Sequence, residues 1–193
     1  MNRWPAREEM QERILETADR LFYRQGIRAI GVDTVADEVG VSKRTLYNHF
    51  PSKDALIAAY LRRRLTAFEI TDRPPLEQIL GVFERLERAV AKKSFRGCPF
   101  VNAVAELGED VGEANALAVT FKEGRRLWFR DLLARSSVAD ADALATQLAV
   151  LLDGAIAAGL VRGDPAFVRA ARDAAVTLIE ADRRREKRRR RRS

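Results

Sequence analysis

Apolar residues in this chain return every three or four positions, and no segment of four to eight residues shows the apolar/polar alternation of a half-buried strand. Ile14, Ala18, Leu21 and Phe22 fall at i, i+4, i+7 and i+8, with Glu8, Glu12, Glu16 and Arg20 on other faces. Leu56, Ile57, Tyr60, Leu61 and Leu65 keep the same spacing, as do segments near 76–93, 100–109, 112–136, 140–160 and 165–182. Side chains at this period share one face of a helix and would scatter over both faces of a strand, so the spacing predicts an all-α fold. Breaks fall at Gly26, 97–99, Gly108, Ser136 with Ser137, and 163–165. The clearest is TDRPP at 71–75, whose paired prolines disfavour a continuous helix and mark a domain boundary.

Between Gly31 and Phe50 two helices are too short and too close to be independent elements. Gly40 and Val41 separate GVDTVADEVG from VSKRTLYNHF, and Ser42 is placed to cap the second. Val35, Ala36 and Val39 line one side of the first helix; Val41 and Leu46 answer from the second. Alanine at 36 lets the two helices approach where they cross. Two short helices joined by a glycine-bearing turn and braced by a third are the geometry that sets a reading helix in the major groove. The first turn of the second helix carries Lys43, Arg44 and Thr45, followed by Tyr47 and Asn48. Long cations suit guanine or phosphate, and an amide suits adenine. Tyr47 has an apolar ring for packing and a hydroxyl for phosphate. His49, with no nucleophile or paired carboxylate beside it in sequence, reads as a phosphate neighbour or a packing residue. Ser52 caps a fourth helix from Lys53, whose ammonium and free backbone N–H groups suit a phosphate. The plainer alternative is that 33–50 is a tight helical hairpin with solvated charges.

TVADEVGVSKRTLYNHFPSKDALIAAYL resembles the amino-terminal domain of the TetR family of regulators, over about residues 8–68. RGCPFVNAVAELG at 96–108 is similar to a stretch found in one branch of that family. The resemblance implies a three-helix DNA-binding domain followed by a helical ligand-binding and dimerisation domain. It implies a homodimer on double-stranded operator DNA, usually a repressor, released when a small-molecule effector enters the body. By motif position, Lys43, Arg44, Thr45, Tyr47, Asn48 and His49 would face DNA and Lys53 would hold a phosphate. Gly31 departs from the pattern, since the family commonly has serine or threonine there. Glycine still caps a helix, but the hydroxyl contact is lost.

The division expected is therefore 8–68 for DNA binding with the motif at 31–50, 76–182 for regulation and dimerisation, and 183–193 as a basic tail. LATQLAVLLDGAIAAGL within 140–160 is apolar on most sides, more than a surface helix needs, so Leu148, Leu152 and Ile156 are candidates for a subunit interface or for internal core. Phe83, Leu86, Phe100, Asn102, Phe121, Trp128 and Leu132 are candidates for a pocket taking a small, largely apolar molecule. Asn102 and Glu106, four apart, would orient a polar group of the ligand or serve as caps.

The net charge of +7 misleads if read as a global property. RRREKRRRRR at 183–192 holds nine of the 35 basic residues and one of the 28 acidic ones, leaving 26 against 27 in the rest. That segment is expected to be disordered or a frayed continuation of the last helix, with sequence-independent attraction to nucleic acid. A lone cysteine, Cys98, and a lone histidine, His49, make neither an internal disulfide nor a Cys/His metal cluster. No phosphate loop or nucleophile-base pairing is present, so no catalytic residue, metal or cofactor is assigned. No run approaches ~18 uncharged apolar residues. Residues 1–10 are charged and carry a proline, so neither export nor a membrane is expected and the cytoplasm is the expected compartment. The alternatives are a non-specific nucleic-acid-binding protein and a helical enzyme.

Overall fold

In the computed structural model the described residues, 7–65, 67–108 and 112–192, form nine α-helices and no strand. The start of the charged stretch 1–10 and the last residue of the 183–193 segment lie outside them. The helices are α1 (Arg7–Gln25), α2 (Val32–Val39), α3 (Lys43–His49), α4 (Lys53–Arg64), α5 (Pro75–Val90), α6 (Pro99–Leu107), α7 (Gly112–Ala134), α8 (Ala141–Arg162) and α9 (Ala166–Arg190). They form two compact units. One holds the described residues of Met1–Thr66 and Cys98–Phe121, the other those of Ala67–Gly97 and Lys122–Ser193.

This division departs from a boundary at 71–75 in one respect: α6 and the start of α7 belong with the first unit. The reason is burial. Phe100 and Ala103 of α6, Ala114 and Ala118 of α7, and Leu56, Tyr60 and Leu61 of α4 are all buried in that unit. Phe100 stacks on Phe121, with centroids 4.2 Å apart. Arg62 of α4 pairs with Glu113 of α7.

Within the first unit, Met10, Ile14, Ala18, Leu21 and Phe22 give α1 a buried stripe at helical spacing. The ring of Phe22 meets that of Tyr60 edge-on, at 5.6 Å. Gly26 ends α1 at φ +96, where an L side chain is strained, and donates its N–H to Phe22 O at 3.0 Å. A Cβ there would also lie 3.0 Å from Glu106 Oε2, and that carboxylate accepts the Arg28 backbone N–H at 2.9 Å. Glu106 thus holds the turn after α1, which accounts for it without a ligand.

The second unit is closed by Ile79, Phe83, Leu86 and Val90 of α5, Trp128, Phe129, Leu132 and Leu133 of α7, Leu144, Leu148 and Leu152 of α8, and Val168, Ala175 and Ile179 of α9. Leu148 is 0% and Leu152 2% exposed inside this core, and Ile156 packs half-buried at its edge. Of the two alternatives for these residues, Leu148 and Leu152 take the internal-core one within the protomer. Outward-facing instead are Ala143, Gln147, Val150, Gly154, Ala157 and Val161, at alternating four- and three-residue spacing. Val150 and Val161 are 67% and 81% exposed.

By length and composition α8 is apolar enough to cross a membrane, which the uncharged-run criterion had not suggested. Asp153 near its middle pairs with Lys122 and Arg125 of α7, fixing that turn against the protein. The last helix was expected to end near 182; it continues to Arg190.

Candidate nucleic-acid interface

Leu46 fixes α3. It is fully buried, and with Val35, Ala36 and Val39 it closes the angle between α2 and α3. One apolar anchor in a seven-residue helix leaves the other faces outside. Lys43, Arg44, Tyr47 and Asn48 are exposed, while Thr45 and His49 are half-buried. Of the sequence candidates, α3 brings these six onto one short helix, and Lys53 opens the next.

The turn between α2 and α3 has the chemistry its sequence suggested. Gly40 sits at φ 79, ψ 37, donating to Ala36 O and Asp37 O at 2.9 and 3.1 Å. Val41 donates to Ala36 O at 3.0 Å. Ser42 Oγ accepts the Thr45 N–H at 3.1 Å and lies 2.9 Å from Thr45 Oγ1, so the Thr45 hydroxyl is engaged in the cap. Ser52 repeats the device, accepting the Ala55 N–H at 3.0 Å. Gly31 caps α2 in extended conformation without a side-chain hydrogen bond, as its lack of a hydroxyl requires.

α1 braces this pair through charge. Arg13 donates to Val39 O at 3.2 Å, satisfying a carbonyl at the end of α2, and Arg20 pairs with Glu38 at 2.6 Å. α4 is tied to α1 through Arg63 with Glu12, and through Arg64, which grips Asp19 at 2.5 and 2.8 Å. The Arg64 guanidinium also lies 4.3 Å over the Tyr23 ring. Burial raises the Tyr60 hydroxyl above its ordinary pKa, so it stays neutral beside these charges.

The cations of α3 differ in their freedom. Lys43 Nζ lies 2.9 Å from Asp33 Oδ1 and 3.0 Å from Oδ2, and the hydrogen bond with Asp33 raises its pKa above the usual lysine value. Arg44 has no ion pair among the described residues. His49 Nδ1 is enclosed and without a hydrogen-bond partner there. The Asp33 contact was missed by sequence reasoning. Ten residues separate the pair, and only the crossing of α2 and α3 brings them together.

Phe83, Leu86 and Leu132 are close-packed core of the second unit; Phe100 and Phe121 stack on each other in the first, which also holds Asn102. Trp128 lines a cleft of about 610 Å³ in the second unit. Its indole N–H donates to Glu69 O at 3.0 Å, and Gln78 clasps Thr71 and Arg73 beside it. The rest of the lining is mostly charged: Arg73, Arg85, Arg88 and Arg172 with Glu69, Glu77 and Glu84. An apolar ligand does not suit it.

Residues 14–60 match the family model described as bacterial regulatory proteins, tetR family. A TetR-type transcriptional regulator from Streptomyces avermitilis is 36% identical, with 90% of this chain and 97% of that one covered at a TM-score of 0.81. A TetR-family regulator from Streptomyces coelicolor is 30% identical over 91% and 97%, at 0.82. The transcriptional activator FasR of Mycolicibacterium smegmatis is 38% identical over 89 residues, which is 46% of this chain and 40% of FasR. The chain thus spans well under two thirds of that relative.

Proposed function

Because the chain belongs to the TetR family of DNA-binding transcriptional regulators, we propose that it acts as a homodimer on a palindromic operator and represses from it until a small molecule releases it. The observation that carries this reading is the exposed face of α3, where Arg44, Tyr47 and Asn48 project from a helix anchored by one buried leucine. Arg44 and Asn48 read base edges; Lys43, Tyr47 and Lys53 meet phosphates; Thr45 and His49 lie at the contact and set the helix in place. The working division of labour is 8–68 for DNA and 76–182 for regulation and pairing.

Pairing is supported by the outward face of α8, whose small and apolar residues are costly to leave in water and suit close helix packing. Repression needs only occupancy of a promoter, whereas activation, the role in FasR's name, needs a further surface for polymerase. The charged cleft suits a polar or ionised effector with a planar part to lie against Trp128. This reading places the protein in the cytoplasm, with bacterial DNA.

Selection of genomic fragments on the full chain tests the reading. A two-fold symmetric footprint is expected, with reporter expression from that promoter rising when α3 is disabled. Equal recovery of unrelated fragments would favour a non-specific coating protein and overturn it.

A further inference from the structure

We infer that Arg183–Arg190, the last turns of α9, form a second binding element that grips the phosphates of duplex nucleic acid without reading sequence. This goes beyond the operator-reading role and uses no part of α3.

The segment is a built extension of the fold. The Asp182 carboxylate accepts the backbone N–H groups of Ala139 and Asp140 at 2.6 and 3.1 Å, and Arg183 Nε donates to Ser136 O at 3.1 Å. Its root is therefore fixed to the turn between α7 and α8, and the helix continues unbroken to Arg190. Glu186 pairs with Arg190 at 2.7 Å, and Glu180 lies 3.9 Å from Arg184.

From 183 to 190 there are seven cations and one carboxylate. At a rise of 1.5 Å per residue these eight residues span about 12 Å, hence one cation per ~1.7 Å, which matches the spacing of negative charge along the axis of duplex DNA. Like charges at i and i+4, such as Arg184 with Arg188 and Arg185 with Arg189, weaken a helix on its own, and a polyanion removes that repulsion.

The residue types select among polyanions. Six of the seven cations are arginine, whose planar fork meets phosphate oxygens in pairs. Residues 183–192 contain no aromatic side chain on which unpaired bases would stack, which disfavours a single strand. They contain no apolar residue to enter a bilayer, which disfavours a lipid surface.

The test uses the full chain carrying Arg184→Gln, Arg185→Gln, Arg188→Gln and Arg189→Gln together, glutamine being a good helix former. Binding to a random-sequence duplex is followed by anisotropy at four salt concentrations. The slope of log K against log salt is expected to fall by one to about four units per chain, at ~0.9 per phosphate contact. The ratio of operator to random affinity should not fall. A chain with the same four positions as lysine should keep most of the slope, which separates loss of charge from loss of fold. An unchanged slope in the glutamine chain overturns the inference. So does loss of binding to phosphatidylserine vesicles with duplex binding intact, which would assign the arm to lipid. Arg44→Ala in the same assay should change the operator ratio and leave the arm's slope in place, so failure of the operator reading and failure of this one are distinguishable.

Discussion

Arg44 and Lys53 have the same charge and different surroundings, and their alanine variants should fail differently. Arg44 is exposed in the first turn of α3, with no ion pair among the described residues, and its guanidinium is free to reach a base edge. Lys53 opens α4 beside the Ser52 cap, where a cation with free backbone N–H groups suits a phosphate. Arg44→Ala should cost about 1–3 kcal/mol on the operator with little change on scrambled duplex. Lys53→Ala should weaken both and lower the salt slope by about one per chain. Equal losses on both DNAs for both variants would make Arg44 a phosphate clamp. Lys43 behaves differently again, because Asp33 already holds its ammonium at 2.9 Å. A phosphate must displace that carboxylate, so Asp33→Asn should tighten binding to any duplex a few-fold in a titration at fixed salt. Weaker binding would mean that Asp33 positions Lys43 for its contact. The caps at Ser42 and Ser52 were legible in the sequence because an N-cap is a local bond spanning three residues. The Asp33–Lys43 pair was not, because it depends on a crossing angle between helices.

Among the elements, the helices were legible and the facing of α8 was not. Nearly every break was marked by glycine, proline or serine, and Gly26, Gly40 and Gly163 take the positive φ that those positions demand. α8 is apolar on most sides, so its composition carries no phase. Which stripe is core depends on volume and fit: Leu144, Leu148 and Leu152 fill the space between α5, α7 and α9 with Ala145, Ala155 and Gly159 beside them, while Ala143, Val150, Gly154, Ala157 and Val161 stay outside. Gly159 shows how close that fit is. A Cβ there would lie 2.6 Å from Val90 Cγ2, across the contact between α8 and α5. In an open helix interior glycine to alanine gains about 0.5–1 kcal/mol. Here Gly159→Ala should instead destabilise by about 1–3 kcal/mol through overpacking. Val90→Ala leaves a cavity alone, but in combination it should recover part of the loss. A urea double-mutant cycle reads the coupling, and strict additivity would remove the contact from the account.

For the whole molecule, the family and the all-α class were legible because α2, α3 and their turn are specified by neighbouring residues. The unit membership of α6 was not, since it depends on Phe100 and Ala103 finding a place beside α4, far away in sequence. The same distinction between inward and outward residues separates folding from association. Leu148 is closed inside the protomer, so Leu148→Ala should cost about 2–5 kcal/mol of stability and leave the subunit count unchanged. Val150 and Ala157, seven apart on the outward face of α8, touch none of that core. Val150→Asp with Ala157→Asp should leave the urea midpoint of the isolated chain nearly unchanged, since both carboxylates stay in water. In a symmetric dimer each substitution is counted twice, and four carboxylates brought together out of water would cost more than a helical interface returns. Sedimentation should then find monomers, and operator affinity should fall steeply because each monomer holds one half-site. A dimer that survives these substitutions would place the pairing surface elsewhere than on the outward face of α8, while leaving the reading role of α3 untouched.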